Sequence, residues 1–285
     1  METELKSVRS PEYHPEDLTI PLVVTYDNKL AEHPNSRAFR RTLDTHSWEY
    51  AFISINDRYT DHRDKLRGYT AMLQTLPSDK IVVLSDSWDV VCCRTSKVFL
   101  EGYHTLKSDF VVSMELFCDF TTDVVLEPTT QCIPLVKYWK HHTNGVYPLR
   151  KYVNSGLMVG KAGALLEFFR YATENKFLDD QEAMGAFMNA YPEKVCADVD
   201  HTLLHSTTFG KSAGFHTIHI QKQDAPTYAE IFGRDSFFLH FPGCNTKGQK
   251  LMYDMTLSLI DQGYNSHNLN GLYGYPDISW TTRMK

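Results

Sequence analysis

Two carboxylates close an apolar run in "KIVVLSDSWDVV", residues 80–91: Asp86 and Asp89, with Ser87 and Trp88 between them. Like charges this close repel unless something cationic lies between them. Acids three positions apart around a tight turn can both face one ion, and hard carboxylate oxygens suit Mg²⁺ or Mn²⁺. The spacing fits equally an ordinary turn in which one Asp caps the next segment and Trp88 packs to hold the bend. Position favours the first reading. The pair follows a continuous apolar strand, so burial of that strand carries the carboxylates to the sheet edge, where a divalent ion can be shared with ligand phosphates.

A second stretch, "LHFPGCNTKGQK" (239–250), offers complementary chemistry. His240 ends an apolar run and can give a nitrogen ligand, which Mn²⁺ accepts more readily than Mg²⁺. Pro242-Gly243 turns the chain, and Lys247 in a Gly-flanked loop can hold phosphate as a point charge. Singly, His240 reads as well as a hydrogen-bonded interior histidine and Lys247 as a solvated one. Together the two stretches describe a grip for a metal and a diphosphate.

The elements around them read as alternating strands and helices. "IPLVVTY" (20–26), "YAFISI" (50–55), "KIVVLSD" (80–86) and "DFVVSME" (109–115) are strand-like runs. "SRAFRRTLDTH" (36–46) and "RDKLRGYTAMLQTL" (63–76) have helical spacing, the latter with Leu66, Tyr69, Leu73 and Leu76 inward. "SKVFLEGYHTL" reads as helix, "YVNSGLMVGKAGALLEFFRYATEN" as a strand running into a helix, and "DDQEAMGAFMNAYP" (179–192) as a helix with Asp179 or Asp180 as its cap. Residues 116–150 read as irregular. Short strands are expected near 195–199, 203–209 and 216–220, a late strand at "SFFLHF", and a helix near 249–262. This alternation predicts a three-layer α/β/α, Rossmann-like fold with a mixed, mostly parallel central sheet. Such sheets bind ligands at the carboxyl ends of their strands, where Asp86 and Asp89 lie. Residues 1–18 read as a loosely ordered lead-in and 19–285 as one domain.

The net charge of −6 argues against wholesale nucleic-acid binding. No stretch is apolar enough for a membrane span, and the polar N-terminus is neither a signal nor a transit peptide. The expectation is a cytoplasmic protein, or one from the secretory lumen whose leader has been removed. None of the six Cys forms a C-x-x-C pair. Cys92 and Cys93 read as small buried hydrophobes, and Cys118 and Cys132 could bridge in an oxidising compartment.

Four stretches resemble the metal-dependent glycosyltransferases of GT-A fold, and most specifically the glycosyltransferase domain of the procollagen lysyl hydroxylases. They are "PLVVTY" (21–26), "VVLSDSWDVV" (82–91), "YVNSGLMVGKA" (152–162) with "LDDQ" (178–181), and "LHFPGCNTKG" (239–248). Their order and spacing hold over roughly residues 20–250. The resemblance implies that Asp86, Asp89 and His240 bind Mn²⁺, with Mg²⁺ the alternative, and that Gly243 and Lys247 meet the diphosphate of a UDP-sugar. It implies that Thr25 and Tyr26 border the uridine, with Ser87 at the metal turn and Lys65 opening the second helix. Asn154, Asp179 and Asp180 would face the sugar and acceptor hydroxyls, and Gln181 could reach a sugar hydroxyl. Two stretches depart from the family. "NDRYTDHRDK" (56–65) stands where the family has a Trp-Gly-Gly loop, with Tyr59 as a substitute stacking aromatic. "SMELFCDFTTDVVLEP" is unlike the family's stretch in the acceptor region.

The implied activity is transfer of glucose or galactose from UDP-glucose or UDP-galactose to a hydroxyl acceptor, either glycosylated hydroxylysine of a collagen-like protein or a glycan. Glu115, Asp119, Asp179 and Asp180 are the candidates if a base is needed. Two rivals share the same acids: a metal-dependent nucleotidyltransferase or phosphodiesterase, and a non-catalytic nucleotide-sugar-binding module.

Overall fold

The computed structural model describes residues 5–55, 62–115, 133–148, 150–206, 236–242 and 247–261. In chain order the elements are β1 (Lys6–Arg9), β2 (Leu22–Tyr26), α1 (Pro34–Thr45), β3 (Glu49–Ser54), α2 (His62–Leu73), β4 (Ile81–Ser85) and β5 (Val90–Cys92). There follow α3 (Phe99–Thr105), β6 (Phe110–Glu115), α4 (Val136–Thr143), β7 (Tyr152–Lys161), α5 (Ala162–Glu174), α6 (Asp180–Ala190), β8 (Cys196–Asp198), β9 (Leu204–Ser206), β10 (Phe238–His240) and α7 (Lys247–Asp261).

The main sheet has seven strands in the order β1-β3-β2-β4-β7-β6-β8. β2 pairs in parallel with β3 and β4, and β6 with β8. β1 runs antiparallel to β3, and β7 antiparallel to both neighbours. Five strands therefore share one direction and two oppose it. β2, β3, β4 and β6 are buried at every position, because helices cover both faces. On one face Leu22, Val24, Leu84, Val112 and Met158 pack with α2, α5 and α6 through Tyr69, Phe168, Phe169 and Phe187. On the other, Val23, Val83, Val111 and Val159 pack with Phe39 of α1 and Phe99 of α3. The second face also receives Val90, Cys92, Leu204 and Phe238 from a three-stranded sheet ordered β5-β10-β9. The fold is the expected three-layer α/β/α class with a mixed sheet.

Three details differ from the expectation. The lead-in is not loosely ordered throughout: Lys6–Arg9 forms an edge strand against β3. "KSVR" is too short and polar for periodicity to reveal it, and its partner supplies the hydrogen bonds. The stretch 116–150 is not irregular throughout, since Val136–Thr143 is helical and buries Tyr138 and Trp139. Its two consecutive aromatics mask the helical period. The run after Asp86 does not continue its strand: β4 lies in the main sheet and β5 in the small one. Cys92 and Cys93 are buried as expected. Cys118, Cys132 and the strand expected near 216–220 lie outside the described residues. No helix among the described residues is long and apolar enough to cross a membrane.

A buried lysine ties the lead-in to the sheet. Lys80 Nζ donates to the carbonyls of His14 (3.1 Å) and Asp17 (2.6 Å) and sits 3.8 Å from Glu49 Oε2. Glu49 Oε1 in turn accepts the His14 amide. Burial lowers the Lys80 pKa and raises that of Glu49, each partly offset by the other's charge. Lys80→Met leaves Glu49 buried without its cation, and urea denaturation is expected to show a loss of about 3 kcal/mol. Adding Glu49→Gln should recover part of it. An unchanged midpoint in the single variant would remove the pair from the account of stability.

Candidate metal and ligand site

The two sheets meet at Asp86 and Asp89. Asp86 follows β4, and its amide donates to Gly156 O at 2.9 Å, extending the β4–β7 ladder by one residue. Asp89 precedes β5, and its carbonyl accepts the Phe241 amide at 2.8 Å. In that small sheet His240 lies opposite Val90, so its imidazole reaches Asp89. His240 Nε2 is 3.3 Å from Asp89 Oδ1 and 3.7 Å from Asp86 Oδ2. One ligand atom from each of the three lies within 4.8 Å of the others. Two carboxylate oxygens and one imidazole nitrogen form a donor set suited to Mn²⁺.

The imidazole is held from behind. His240 Nδ1 lies 2.9 Å from Asn154 Oδ1, which also accepts the Gly156 amide at 3.0 Å. Asn154 Nδ2 donates to Glu115 Oε2 at 3.0 Å. An oxygen that accepts requires the proton on Nδ1, so Nε2 faces the acids as a lone pair when the ring is neutral. Burial works against the imidazolium, but Asp89 and Asp86 outweigh it and raise the His240 pKa. Burial likewise pushes Asp86 up, while Lys65 and His240 outweigh it and hold its pKa down. Gly156 makes the approach possible. A Cβ there would overlap the His240 ring and stand 2.8 Å from Asp86 Oδ2. The N-S-G stretch thus places a hydrogen-bonding amide and a bare backbone behind the same histidine.

Across the cavity, Asp179 caps α6: its Oδ1 accepts the amides of Gln181 (2.9 Å) and Glu182 (3.0 Å). Asp180 is buried at the first turn and lies 2.7 Å from Lys65 Nζ, which also lies 2.7 Å from Asp86 Oδ1. Burial opposes the ammonium, but Asp180 and Asp86 raise the Lys65 pKa well above its ordinary value. His62 Nε2 stands 3.9 Å from Asp179 Oδ2.

These residues line one cavity of about 710 Å³. The expected residues Tyr26, Lys65, Ser87, Asn154, Asp179, Asp180 and Gln181 all face it, as do the three metal candidates. Thr25 does not: it is fully buried in β2 and its neighbour Tyr26 takes the wall position. Gln181 Nε2 is buried with no hydrogen-bond partner among the described residues. Tyr59 and Gly243 lie outside the described residues, as does the side chain of Lys247, which opens α7.

Trp88 does not pack into the core to fix the turn. It is 46% exposed and stacks on His33, with ring centroids 4.3 Å apart and 13° between planes. Both rings line the cavity. His33 and His62 carried no sequence signal, because each sits in a polar segment with no periodic neighbours.

No protein-family model matches the chain, and no curated protein matches it. Among solved structures, a glycosyltransferase involved in glycosylation of the major capsid of PBCV-1 is 11% identical, over 82% of this chain and 100% of that one, with a TM-score of 0.43. The bifunctional glycosyltransferase WbbM is 13% identical at a TM-score of 0.43; the match spans 82% of this chain and about half (47%) of WbbM. A putative glucose-1-phosphate thymidylyltransferase from Bacillus anthracis is 8% identical, over 63% of this chain and 85% of that one, at a TM-score of 0.34. Superpositions this loose assign no activity; the functional reading rests on the residues of the cavity.

Gly156→Ala is expected to push His240 away from Asp86. Calorimetric titration with Mn²⁺ should show binding weakened about tenfold or more, with the circular dichroism spectrum unchanged. Wild-type affinity in this variant would mean that His240 is not a ligand.

Proposed function

We propose that the protein is a Mn²⁺-dependent glycosyltransferase that moves a hexose, glucose or galactose, from a UDP-sugar to a hydroxyl acceptor. The observation that carries this reading is the Asp86–Asp89–His240 set on the wall of a cavity that also holds an exposed Trp88 stacked on His33 and a buried acid–lysine set. Bound there, Mn²⁺ would offset the charge that develops on a departing nucleoside diphosphate.

The chain's own groups divide the remaining work. His240 presents Nε2 because Asn154 holds its other nitrogen. Trp88, backed by His33, offers an open ring face for a nucleobase. The amide of Gln181, with no partner among the described residues, can donate to a ligand oxygen on the α6 side, near the helix N-terminus. Tyr26 borders the same space at the end of β2.

The carboxylates of the cavity bear on the stereochemical course. Among the described acids on the cavity wall, Asp27 accepts the amides of Lys29 and Ala31, and Asp179 accepts two helix amides. Asp180 holds Lys65, and Asp86 and Asp89 face His240. Glu115 is committed to Asn154. An inverting transfer needs a carboxylate able to take the acceptor's proton. These five wall acids and Glu115 are engaged, and Asp119, the remaining candidate base, lies outside the described residues.

The test is donor turnover with Mn²⁺, followed by an acceptor screen that includes galactosyl-hydroxylysine peptides and glycans. Asp89→Asn should lower UDP release about a hundredfold or more while the fold persists. Full activity of the wild type in EDTA would exclude the reading. Nucleoside monophosphate or pyrophosphate as product would establish a nucleotidyltransferase or phosphodiesterase, and UDP binding without turnover a binding module.

The pH dependence has a definite sign. In the metal-free chain the raised His240 pKa contributes stability that is complete below the unfolded value, about 6.5, and is lost as pH rises through the folded value. The same proton competes with the metal. Mn²⁺ affinity should therefore rise with pH across this window, and calorimetry at three pH values checks it. A flat profile would separate His240 from the binding event.

A further inference from the structure

The function proposed above leaves one buried cation unexplained. Lys65 Nζ sits between two acids, 2.7 Å from Asp86 Oδ1 and 2.7 Å from Asp180 Oδ2, with its side chain only 10% exposed. The two oxygens of Asp86 are thus divided: Oδ1 meets the ammonium, and Oδ2 faces His240 Nε2. A carboxylate that gives one oxygen to an ammonium has one left for a metal, so Asp86 is restricted to monodentate coordination.

Beyond Lys65 lies a second group. His62, Asp179 and Asp180 each offer a ligand atom within 4.8 Å of the others. Asp86 and Asp180 both reach the same nitrogen of Lys65, so a small cation at that point would touch the two clusters at once. In two-metal sites a pair of ions lies about 3.5–4 Å apart and shares bridging oxygens. Here Asp86 is placed as the bridge, and the position of the second ion is filled by an ammonium bound covalently to α2.

We propose that Lys65 is a built-in second cation, a positioning residue that confines Asp86 to one oxygen and limits the cavity to a single divalent ion. This rests on the assignment of Asp86, Asp89 and His240 as the metal set. A fixed ammonium differs from a second ion in two ways: it neither exchanges with solvent nor departs with a diphosphate product. It also ties the metal side of the cavity to the α6 side through one side chain.

The experiment is equilibrium binding of Mn²⁺ alone, followed by the electron paramagnetic resonance signal of the free ion and by calorimetry. The wild-type chain should bind one ion, and Lys65→Met two, because Asp86 Oδ1 and Asp180 are released to a second ion beside Asp179 and His62. Lys65→Arg, which keeps a fixed cation, should return the count to one. The double variant Lys65→Met with Asp180→Asn dismantles the second group, and should bind one ion about tenfold more tightly as Asp86 gains its second oxygen. One ion at wild-type affinity in Lys65→Met overturns the proposal, and so do two ions in the wild type. If Lys65→Met does not fold, the double variant decides: tighter binding of one ion supports the proposal and wild-type affinity overturns it. No binding by the wild-type chain overturns the metal assignment itself and the role of Lys65 with it, an outcome distinct from the others.

Discussion

Negative charge gathers at one end of the main sheet, and the rest of the site answers it. Asp86, Asp89, Asp179 and Asp180 all line one cavity. Two unit charges about 4 Å apart interact by roughly 4 kcal/mol at the effective dielectric of a protein surface. Four acids left without cations would cost more than a domain of ordinary stability can spare. The structure meets the charge in two places, with the imidazole of His240 between Asp86 and Asp89 and the ammonium of Lys65 between Asp86 and Asp180. Helix α6 contributes in a third way, since its first amides take up Asp179.

Each answering group depends on a different part of the fold. His240 reaches the acids because β10 pairs with β5, so the small sheet must form before the set exists. Its orientation depends on β6 and β7, which carry Glu115, Asn154 and Gly156. Lys65 depends on α2. One turn beyond it, Tyr69 is clamped between two strand ends, donating to Ser85 O at 2.9 Å and accepting the Tyr26 amide at 3.3 Å. Gly68 lets α2 lie directly on the Tyr26 ring, where any Cβ would stand 2.6 Å from a ring carbon. The same contacts that bury the helix therefore fix the height of the Lys65 ammonium over the carboxyl end of β4.

What could be read from the sequence follows from range. The strands β2, β3, β4 and β6 were legible because burial on both faces leaves uninterrupted apolar runs, and α2 because its inward residues recur at helical spacing. Asp86, Asp89 and His240 were singled out by their resemblance to a known motif, and the structure brings the three side chains together. The partnership of Lys65 with Asp180 was not, since it is a contact between two helices with no periodic or compositional trace. Asn154 was placed toward the sugar, yet its amide is taken up by His240, Glu115 and Gly156. A hydrogen-bonded support and a ligand contact draw on the same residue types, so type alone does not separate them. Trp88 was assigned to packing because aromatics usually are buried; its stacking on His33 depends on where α1 begins.

In the proposed glycosyltransferase, the division of the cavity also bears on how the acceptor could change while the chemistry stays. The metal set and its support lie on strand ends and on backbone that tolerates no added Cβ at Gly156, so almost any substitution there moves a ligand. Lys65 and Asp180 lie on two helices that both pack on α5 through core side chains, Tyr69 of α2 against Phe169 of α5, and Phe168 of α5 against Phe187 of α6. Those positions are constrained by packing rather than by a ligand. Loops can be exchanged while the sheet ends stay fixed, because their backbone contributes little to the core. In the proposed glycosyltransferase, donor chemistry would fall to these strand ends and helix starts, and acceptor choice to the connections between elements.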